Sequence, residues 1–308
     1  MHKTITFRNY SPEPFFTEDY KKVREFLSRI NANKLYTPRM LWGAWEWAVT
    51  HSGRDQANLG RMGLWEDNGK LVAVAAYECP LGEGYLMVDE DYAYLKPDMV
   101  AYAKENLHDN GKLRLILPDG DSGFAQAAAA QGFRPTQRKE HMSVLDIDML
   151  QEYALPGGYS FVSMADGWDW HQYNRVMWRG FNQDRIGRPP YDDESIAGRK
   201  QMLSSPMINP ELVMAVAAPD GNYVSHCTMW YSPGDFYCYV EPVATDFEYR
   251  KLGLGKAVVL EAIRRCGAFG ARQAVVGSGQ QFYYSIGFYP ACGFTHWEQP
   301  QAKDGGEA

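Results

Sequence analysis

Residues 237–263 read YCYVEPVATDFEYRKLGLGKAVVLEAI and change from a strand pattern to a helix pattern. The first part is rich in aromatic and β-branched residues, which predicts a strand, and the last part has the spacing of an amphipathic helix. Residues 250–255 between them read RKLGLG. Glycines without a Cβ let backbone amides approach a ligand closely, and the amides and dipole of a helix N-terminus favour an anion. The segment therefore predicts an anion site between a strand and a helix.

Basic side chains surround this loop at Arg250, Lys251 and Lys256, which favours a diphosphate over a single carboxylate. The Rossmann fingerprint needs a third glycine where this chain has Val258. A P-loop needs Ser or Thr where this chain has Ala257. Both patterns fail, so we expect a diphosphate cofactor held by another kind of loop. On the residues alone, the glycines can also simply end the loop and begin the helix.

The loop resembles the acetyl-CoA motif of the GNAT acetyltransferase superfamily, Arg or Gln-x-x-Gly-x-Gly or Ala, which lies between the fourth strand and the third helix of that fold. Residues 250, 253 and 255 match it, and the resemblance covers residues 159–298. It implies that the backbone of Val243, Ala244 and Thr245 holds the pantetheine arm of acetyl-CoA. It also implies that the diphosphate lies against Arg250, Lys251, Leu252, Gly253, Leu254, Gly255 and Lys256.

The resemblance further supplies catalytic candidates. The family's general acid is a tyrosine four residues before a Gly-Phe pair, and here that implies Tyr283, in YYSIGF at 283–288. A phenol of pKa ~10 gives its proton to a thiolate of pKa ~8.5 at a cost of about 2 kcal/mol. Tyr289 fits the same pattern and stays open as the acid, and a packed core aromatic is the other interpretation. Ser278 substitutes for an asparagine that the family usually has nearby.

Glu241 is the candidate general base. It precedes the expected pantetheine contacts by two residues on the same strand. An amine of pKa ~10.4 costs about 4.6 kcal/mol to neutralise at pH 7, so a base is expected. A carboxylate in a surface ion pair is the alternative interpretation of Glu241.

The two halves of the chain look like duplicates. Shifting the first half by 155 residues places GFRP at 132–135 on GFYP at 287–290. Each half is predicted to run as a strand, two helices, three strands, a helix, a strand, a short helix and a strand. We therefore expect an α/β protein of two tandem GNAT folds, each a twisted mixed, mostly antiparallel sheet flanked by helices. The expected divisions are a degenerate domain at 1–150, a linker at 151–158, a domain with the acetyl-CoA site at 159–300 and a disordered tail at 301–308.

The first half lacks the chemical positions of the second. At the same offset Gly253 falls on Asp98, and Tyr283 falls on Ala128. A carboxylate at a phosphate site repels the cofactor, so the first domain is expected to be a scaffold or a substrate wall.

The composition of the chain argues against nucleic acid, a membrane and a metal ion as partners. The net charge of −7 argues against a nucleic-acid binder, and the longest apolar runs, 71–77 and 212–218, are far below the ~20 residues of a membrane span. The five cysteines are scattered and the histidines lack ligand spacing, so we expect no disulfide framework and no metal. With no secretory signal pattern at the N-terminus, a cytoplasmic location is expected.

The acceptor is expected to be a small-molecule amine or a protein lysine, and the sequence leaves the oligomeric state open. Residues 166–205 combine tryptophans with acidic residues, which suits a cationic amine, although a solvated lid helix explains them too. The predicted activity is direct transfer from acetyl-CoA in a ternary complex. The rival is a non-catalytic acyl-CoA-binding sensor or interaction protein. A tandem transferase that uses an aminoacyl donor shares the fold but does not require the glycine loop.

Overall fold

The computed structural model describes residues 4–35, 37, 40–182 and 192–300. The chain divides into two compact units. The first unit takes Met1–Val49, Gly53–His141 and Cys292–Ala308, and the second takes Thr50–Ser52 and Met142–Ala291. The predicted tail at 301–308 and residues 183–191 of the expected acceptor region lie outside the described residues.

Both halves of the chain follow the same order of elements, as the sequence predicts. The first half contains β1 (Ile5–Asn9), α1 (Glu18–Ile30), α2 (Trp42–Thr50), β2 (Gly63–Asp67), β3 (Lys70–Ala76), β4 (Glu83–Val88), α3 (Lys96–Asn106), β5 (Arg114–Pro118), α4 (Ser122–Ala130) and β6 (Arg134–Asp146). The second half contains β7 (Ser160–Ser163), α5 (Trp170–Phe181), α6 (Asp193–Met202), β8 (Val213–Ala217), β9 (Tyr223–Trp230), β10 (Tyr237–Thr245), α7 (Leu254–Phe269), β11 (Gln273–Val276), α8 (Gln281–Ser285) and β12 (Tyr289–Glu298).

The sheet of the first unit has the strand order β1-β2-β3-β4-β5-β12. The pairing of β4 with β5 is parallel, and the other pairings are antiparallel. Its last strand is the C-terminal part of β12, where Phe294 pairs with Pro118 and Glu298 pairs with Arg114. The first unit therefore ends on a strand from the far end of the chain.

The sheet of the second unit has the strand order β6-β11-β10-β9-β8-β7. Only β10 and β11 pair in parallel, and the edge strand β6 contributes Ser143–Asp146 by pairing with β11. This division differs from the expected boundaries at 150 and 159, because each closing strand is divided between the two compact units, β6 after His141 and β12 after Ala291. The mixed, mostly antiparallel sheets flanked by helices confirm the predicted fold class.

The core of the second unit lies between the sheet and α7. Strands β8 and β9 are buried along their whole length, and α7 is buried almost throughout from Leu254 to Ile263. Glycines in the left-handed conformation bound α7, with Gly253 at its N-cap and Gly270 at its C-cap. Such positions favour glycine because a Cβ is strained there. The helix therefore begins at the place that the glycine loop predicts.

Candidate functional site

A cleft of about 680 Å³ opens where β10 ends and α7 begins. Its volume lies within the ~300–1,000 Å³ that is usual for ligand sites. All the predicted cofactor residues except Leu252 and Ser278 line it, namely Val243, Ala244, Thr245, Arg250, Lys251, Gly253, Leu254, Gly255 and Lys256. Tyr283 lines the same cleft. The loop and the candidate acid, separated along the chain, thus meet in one place.

Strand β10 opens this cleft by leaving its neighbour β11. The two strands pair only at Tyr237, Cys238 and Tyr239. A register shift between Val240 and Val243 then marks a bulge, after which β10 stays paired with β9 through Thr245. A bulge of this kind bends the strand and ends regular pairing on one side. The side of Val243–Thr245 that faces away from β9 is therefore left without a strand neighbour beside the cleft.

The N-terminus of α7 forms the second wall. Gly253 has φ +80° and no side chain caps the helix, so the first-turn amides of this 16-residue helix are left for a ligand. The first turn contains no acidic residue. A Cβ on Gly255 would lie 3.0 Å from Thr245 Oγ1 and 3.4 Å from the Phe282 ring, so any larger residue here requires its neighbours to shift. Helix dipole, open amides and basic side chains all favour a diphosphate here.

Arg250 links the glycine loop to the end of α5 by hydrogen bonds. Its Nη2 donates to the Gly180 carbonyl at 2.9 Å, and its Nε donates to the Thr245 carbonyl at 3.4 Å. At Gly180 a Cβ would lie 2.8 Å from Ala244 Cβ, so the end of α5 lies directly on β10. Gly180 and Phe181 both line the cleft, and neither belongs to a motif recognisable in the sequence. A glycine inside a helical pattern was the available signal for this close approach.

Asp246 fixes the turn that follows β10. Its carboxylate is fully buried, forms an ion pair with Arg175 Nη2 at 3.0 Å and accepts from Arg179 Nε at 2.6 Å. The same carboxylate accepts from the Glu248 amide at 3.1 Å. The Arg179 guanidinium also lies 4.5 Å from the Phe247 ring centroid. Two arginines of α5 therefore hold the turn from which the glycine loop starts.

Tyr283 is a buried residue of the short helix α8, and 8% of its surface is exposed. Its ring packs edge-on against Phe282 and Phe288, with centroids 5.0 and 5.5 Å away. Burial raises the pKa of its phenol well above the ordinary value, and the nearby Cys227 and Glu241 raise it further. The residue is thus both part of the core and part of the cleft wall, and its hydroxyl stays protonated at neutral pH.

The remaining candidates lie in different places. Glu241 is half-buried at the bulge of β10, does not line the cleft, and is close enough to Tyr283 to act on its pKa. Tyr289 is 44% exposed on β12, and its hydroxyl donates to Asp146 Oδ2 at 2.8 Å, away from the cleft. Ser278 lies outside the cleft lining, where its Oγ accepts from the Gln280 amide at 3.2 Å. Leu252 is 48% exposed on the loop.

The corresponding region of the first unit is closed. Strand β4 pairs with β5 only at Glu83 and Gly84, so these strands also separate, but the cavity lined by their ends measures about 30 Å³. One water molecule needs ~10–15 Å³ of such a cavity, so this cavity holds about two waters. Lys96, the first residue of α3, donates to both oxygens of Asp121 at 2.6 and 2.7 Å beside this cavity. The next residues, Pro97 and Asp98, remove an amide donor and add a negative charge.

Among the residues that the structure describes, no group of three or more His, Cys, Asp or Glu residues is arranged to hold a metal ion. No helix among the same residues is long and apolar enough to cross a membrane.

The comparisons with known proteins agree with the fold. Residues 170–294 match the model of the Acetyltransferase (GNAT) family. A GCN5-related N-acetyltransferase from Sphaerobacter thermophilus aligns with a TM-score of 0.58 and 16% identity over 97% of both chains. A tandem GNAT protein from the clavulanic acid biosynthesis pathway aligns with a TM-score of 0.60 and 13% identity, over 97% of this chain and 100% of the other.

A third similar structure is the Saccharomyces cerevisiae N-myristoyltransferase with bound myristoyl-CoA. It aligns with a TM-score of 0.54 and 12% identity, over 97% of this chain and 81% of the other. No curated protein matches the chain in sequence. At these identities the solved structures show a shared fold, and the family model locates it most directly in the second half of the chain.

Proposed function

We propose that the chain transfers an acetyl group from acetyl-CoA to a primary amine, on the premise that residues 170–294 match the Acetyltransferase (GNAT) family model. The acceptor in this proposal is a small molecule or a lysine side chain, and it attacks the thioester directly in a ternary complex. The observation that carries the proposal is that the glycine loop and Tyr283 line one cleft.

The cleft has the parts that a CoA thioester requires. The α7 amides with Lys251 and Lys256 suit the diphosphate, and Val243–Thr245 offers the unpaired edge of a strand to the amide groups of pantetheine. Burial raises the pKa of the Cys227 and Cys238 thiols, which makes both poor nucleophiles. Direct attack by the amine therefore fits better than a covalent cysteine intermediate.

In the proposed reaction the amine nitrogen forms a bond to the thioester carbonyl carbon, and the carbon–sulfur bond breaks. The neutral amine loses one proton to the Glu241 carboxylate, the thiolate gains one from the Tyr283 phenol, and Tyr283 regains a proton from solvent as Glu241 releases one. Burial keeps that phenol protonated throughout the physiological pH range, and the raised pKa also makes its proton more costly to transfer than that of an ordinary phenol. Glu241 acts as the base in this proposal, directly or through a water, from the bulge beside Tyr283.

We also propose that the chain has one acetyl-CoA site, in the second unit. In the first unit the space between the separating strands is small, and Asp98 lies in the first turn of α3. Ala128, which corresponds to Tyr283, is fully buried and offers no proton. The first unit then serves as a scaffold or a substrate wall.

The test is a Tyr283→Phe variant, assayed by thiol release with acetyl-CoA and a panel of polyamines, aminoglycosides, amino acids and lysine peptides. We expect kcat to fall roughly 10²–10⁴-fold, as for loss of a general acid, with little change in the Kd of acetyl-CoA. Tyr284→Phe is the matched control, because Tyr284 is the adjacent tyrosine and does not line the cleft. Equal kcat for the two variants would remove Tyr283 from the mechanism. Acetyl-CoA binding without turnover of any amine would favour a non-catalytic acyl-CoA-binding protein.

A further inference from the structure

A second cleft of the same unit lies on α6 and measures about 580 Å³. Its lining is largely polar and includes Asn174 of α5 and Arg199 of α6. Asn174 is almost fully buried, with 1% of its surface exposed. The mechanism proposed above uses none of these residues. The cleft therefore needs an explanation of its own.

Arg199 is a guanidinium without an acidic partner among the described residues. Its Nε donates to Asn174 Oδ1 at 2.9 Å, and its Nη1 lies 3.4 Å from the weak acceptor Met202 Sδ. Burial lowers its pKa below the ordinary value, because desolvation penalises an unpaired charge. By contrast, Arg175 and Arg179 on α5 both pair with Asp246. A desolvated cation that lines an open cleft is a ready partner for an anion.

Two buried side chains, Tyr173 and His226, lie close enough to Arg199 to affect each other's titration, although neither lines the cleft. Their rings pack against each other with centroids 4.9 Å apart. Burial raises the pKa of Tyr173 and lowers the pKa of His226 to about 3, so both side chains are neutral at pH 7. These neutral neighbours leave the charge of Arg199 uncompensated, which favours an anion in the cleft.

We propose that Arg199 and the cleft around it bind a carboxylate of the acceptor, so that the substrate is an amino acid or a related compound with a separate reacting amine. This inference rests on the proposed acetyltransferase function. The planar guanidinium fork matches a carboxylate through two parallel hydrogen bonds. A doubly charged phosphate fits less well, because the cleft also contains the Glu194 carboxylate.

The distance along α5 indicates where the carboxylate stands relative to the amine. Asn174 lines the Arg199 cleft, and Gly180, six residues later on the same helix, lines the cofactor cleft. Six residues of helix rise about 9 Å along the axis, and the two clefts share no lining residue. In this proposal an acceptor held at Arg199 by its carboxylate reaches the cofactor cleft with a more distant amine, as lysine or ornithine does with the side-chain nitrogen. An α-amine beside its own carboxylate is too short for this arrangement.

The experiment compares acceptors that differ only in the carboxylate, using the full-length protein. Lysine, ornithine and 6-aminohexanoate are each paired with the corresponding amide, and both KM and the calorimetric Kd are measured. We expect the carboxylates to bind roughly 10–100-fold more tightly than the amides, and Arg199→Gln to abolish that difference. Lys200→Gln is the matched control, since Lys200 is an exposed cation one residue further along α6.

The outcomes separate the two proposals. Loss of carboxylate preference in Arg199→Gln with kcat for the amides retained supports a positioning role for Arg199. A wild-type protein that acetylates the amides as well as the carboxylates, or an Arg199→Gln variant that keeps the preference, overturns the inference while the acetyltransferase function stands. Tighter binding of inorganic phosphate than of any carboxylate also overturns it. If acetyl-CoA does not bind, the proposed function fails, and the calorimetric Kd values of the carboxylates still decide for or against this site.

Discussion

Removing the charge of Asp246 tests how the turn before the glycine loop is held. The carboxylate is fully buried between Arg175 Nη2 at 3.0 Å and Arg179 Nε at 2.6 Å. Asp246→Asn keeps the shape of the side chain but leaves two guanidiniums facing a neutral group. Breaking a buried ion pair from one side costs about 3–5 kcal/mol. For a domain of this size, ~2–4 °C per kcal/mol gives a Tm lower by roughly 6–20 °C.

The assay is thermal unfolding followed by circular dichroism, with urea unfolding to confirm the free energy. Glu248→Gln is the matched control, because Glu248 pairs with the same Arg179 but its side chain is 61% exposed. An exposed pair contributes about 0–1 kcal/mol, so this variant should shift the Tm by no more than a few degrees. We also expect Asp246→Asn to weaken acetyl-CoA binding, since the loop loses its anchor. Equal shifts for the two variants would refute the reasoning.

Three further predictions follow from packing and titration. Gly180→Ala brings a Cβ to 2.8 Å from Ala244 Cβ, so we expect the free energy of unfolding to fall by ~1–3 kcal/mol and acetyl-CoA to bind more weakly. Gly198→Ala is the control, because its Cβ meets no atom closer than 3.6 Å, and it should not lower the free energy of unfolding. Because burial raises the pKa of Tyr283, the pH–rate profile should show no alkaline limb from this residue below about pH 10, and a limb near pH 8–9 that Tyr283→Phe removes would contradict this. Burial alone would raise the pKa of Glu261, but its hydrogen bonds with Arg264 and Tyr153 outweigh burial and lower the pKa to about 2. The contribution of Glu261 to the free energy of unfolding is therefore fully present above the pKa of the unfolded chain. It is lost as the pH falls through about 2. Urea unfolding should show Glu261→Gln destabilised by roughly 3 kcal/mol at pH 7 with a smaller difference at pH 3, and a difference that does not shrink would count against the ion pair.

The sequence contained most of what determines the cofactor cleft. The turn from strand to helix at 250–255 follows from local residue preferences. Gly253 adopts a left-handed conformation, which glycine accepts without strain because it has no Cβ. The duplicated order of elements followed from hydrophobic periodicity within each half. Tyr283 lies in the cleft and Tyr289 does not, a distinction that the shared Tyr-x-x-x-Gly-Phe pattern left open.

Non-local pairing could not be predicted in the same way. The pattern of 134–146 predicts a strand but does not say that its last residues pair with β11. The expected boundaries near 150 therefore separate residues that the compact units keep together. Arg199 was missed for a similar reason, because an arginine in a largely polar helix is expected to be exposed until its neighbours are known. Ser278 was placed by analogy with a family position, and its surroundings depend on how β11 ends.

The measurement that bears most directly on the central claim is a calorimetric titration of the full-length protein with acetyl-CoA. Wild type is compared with Gly253→Asp, which imitates the first half of the chain, and with Gly253→Asn, which tolerates the same left-handed backbone without the charge. At a separation of ~6 Å, one carboxylate and one phosphate charge repel by about 0.7 kcal/mol in water and about 2.8 kcal/mol at an effective dielectric of 20. We predict one site per chain, retained in Gly253→Asn and weakened roughly 3–100-fold further in Gly253→Asp. Two sites per chain, no binding, or equal affinities for the two variants would contradict the account.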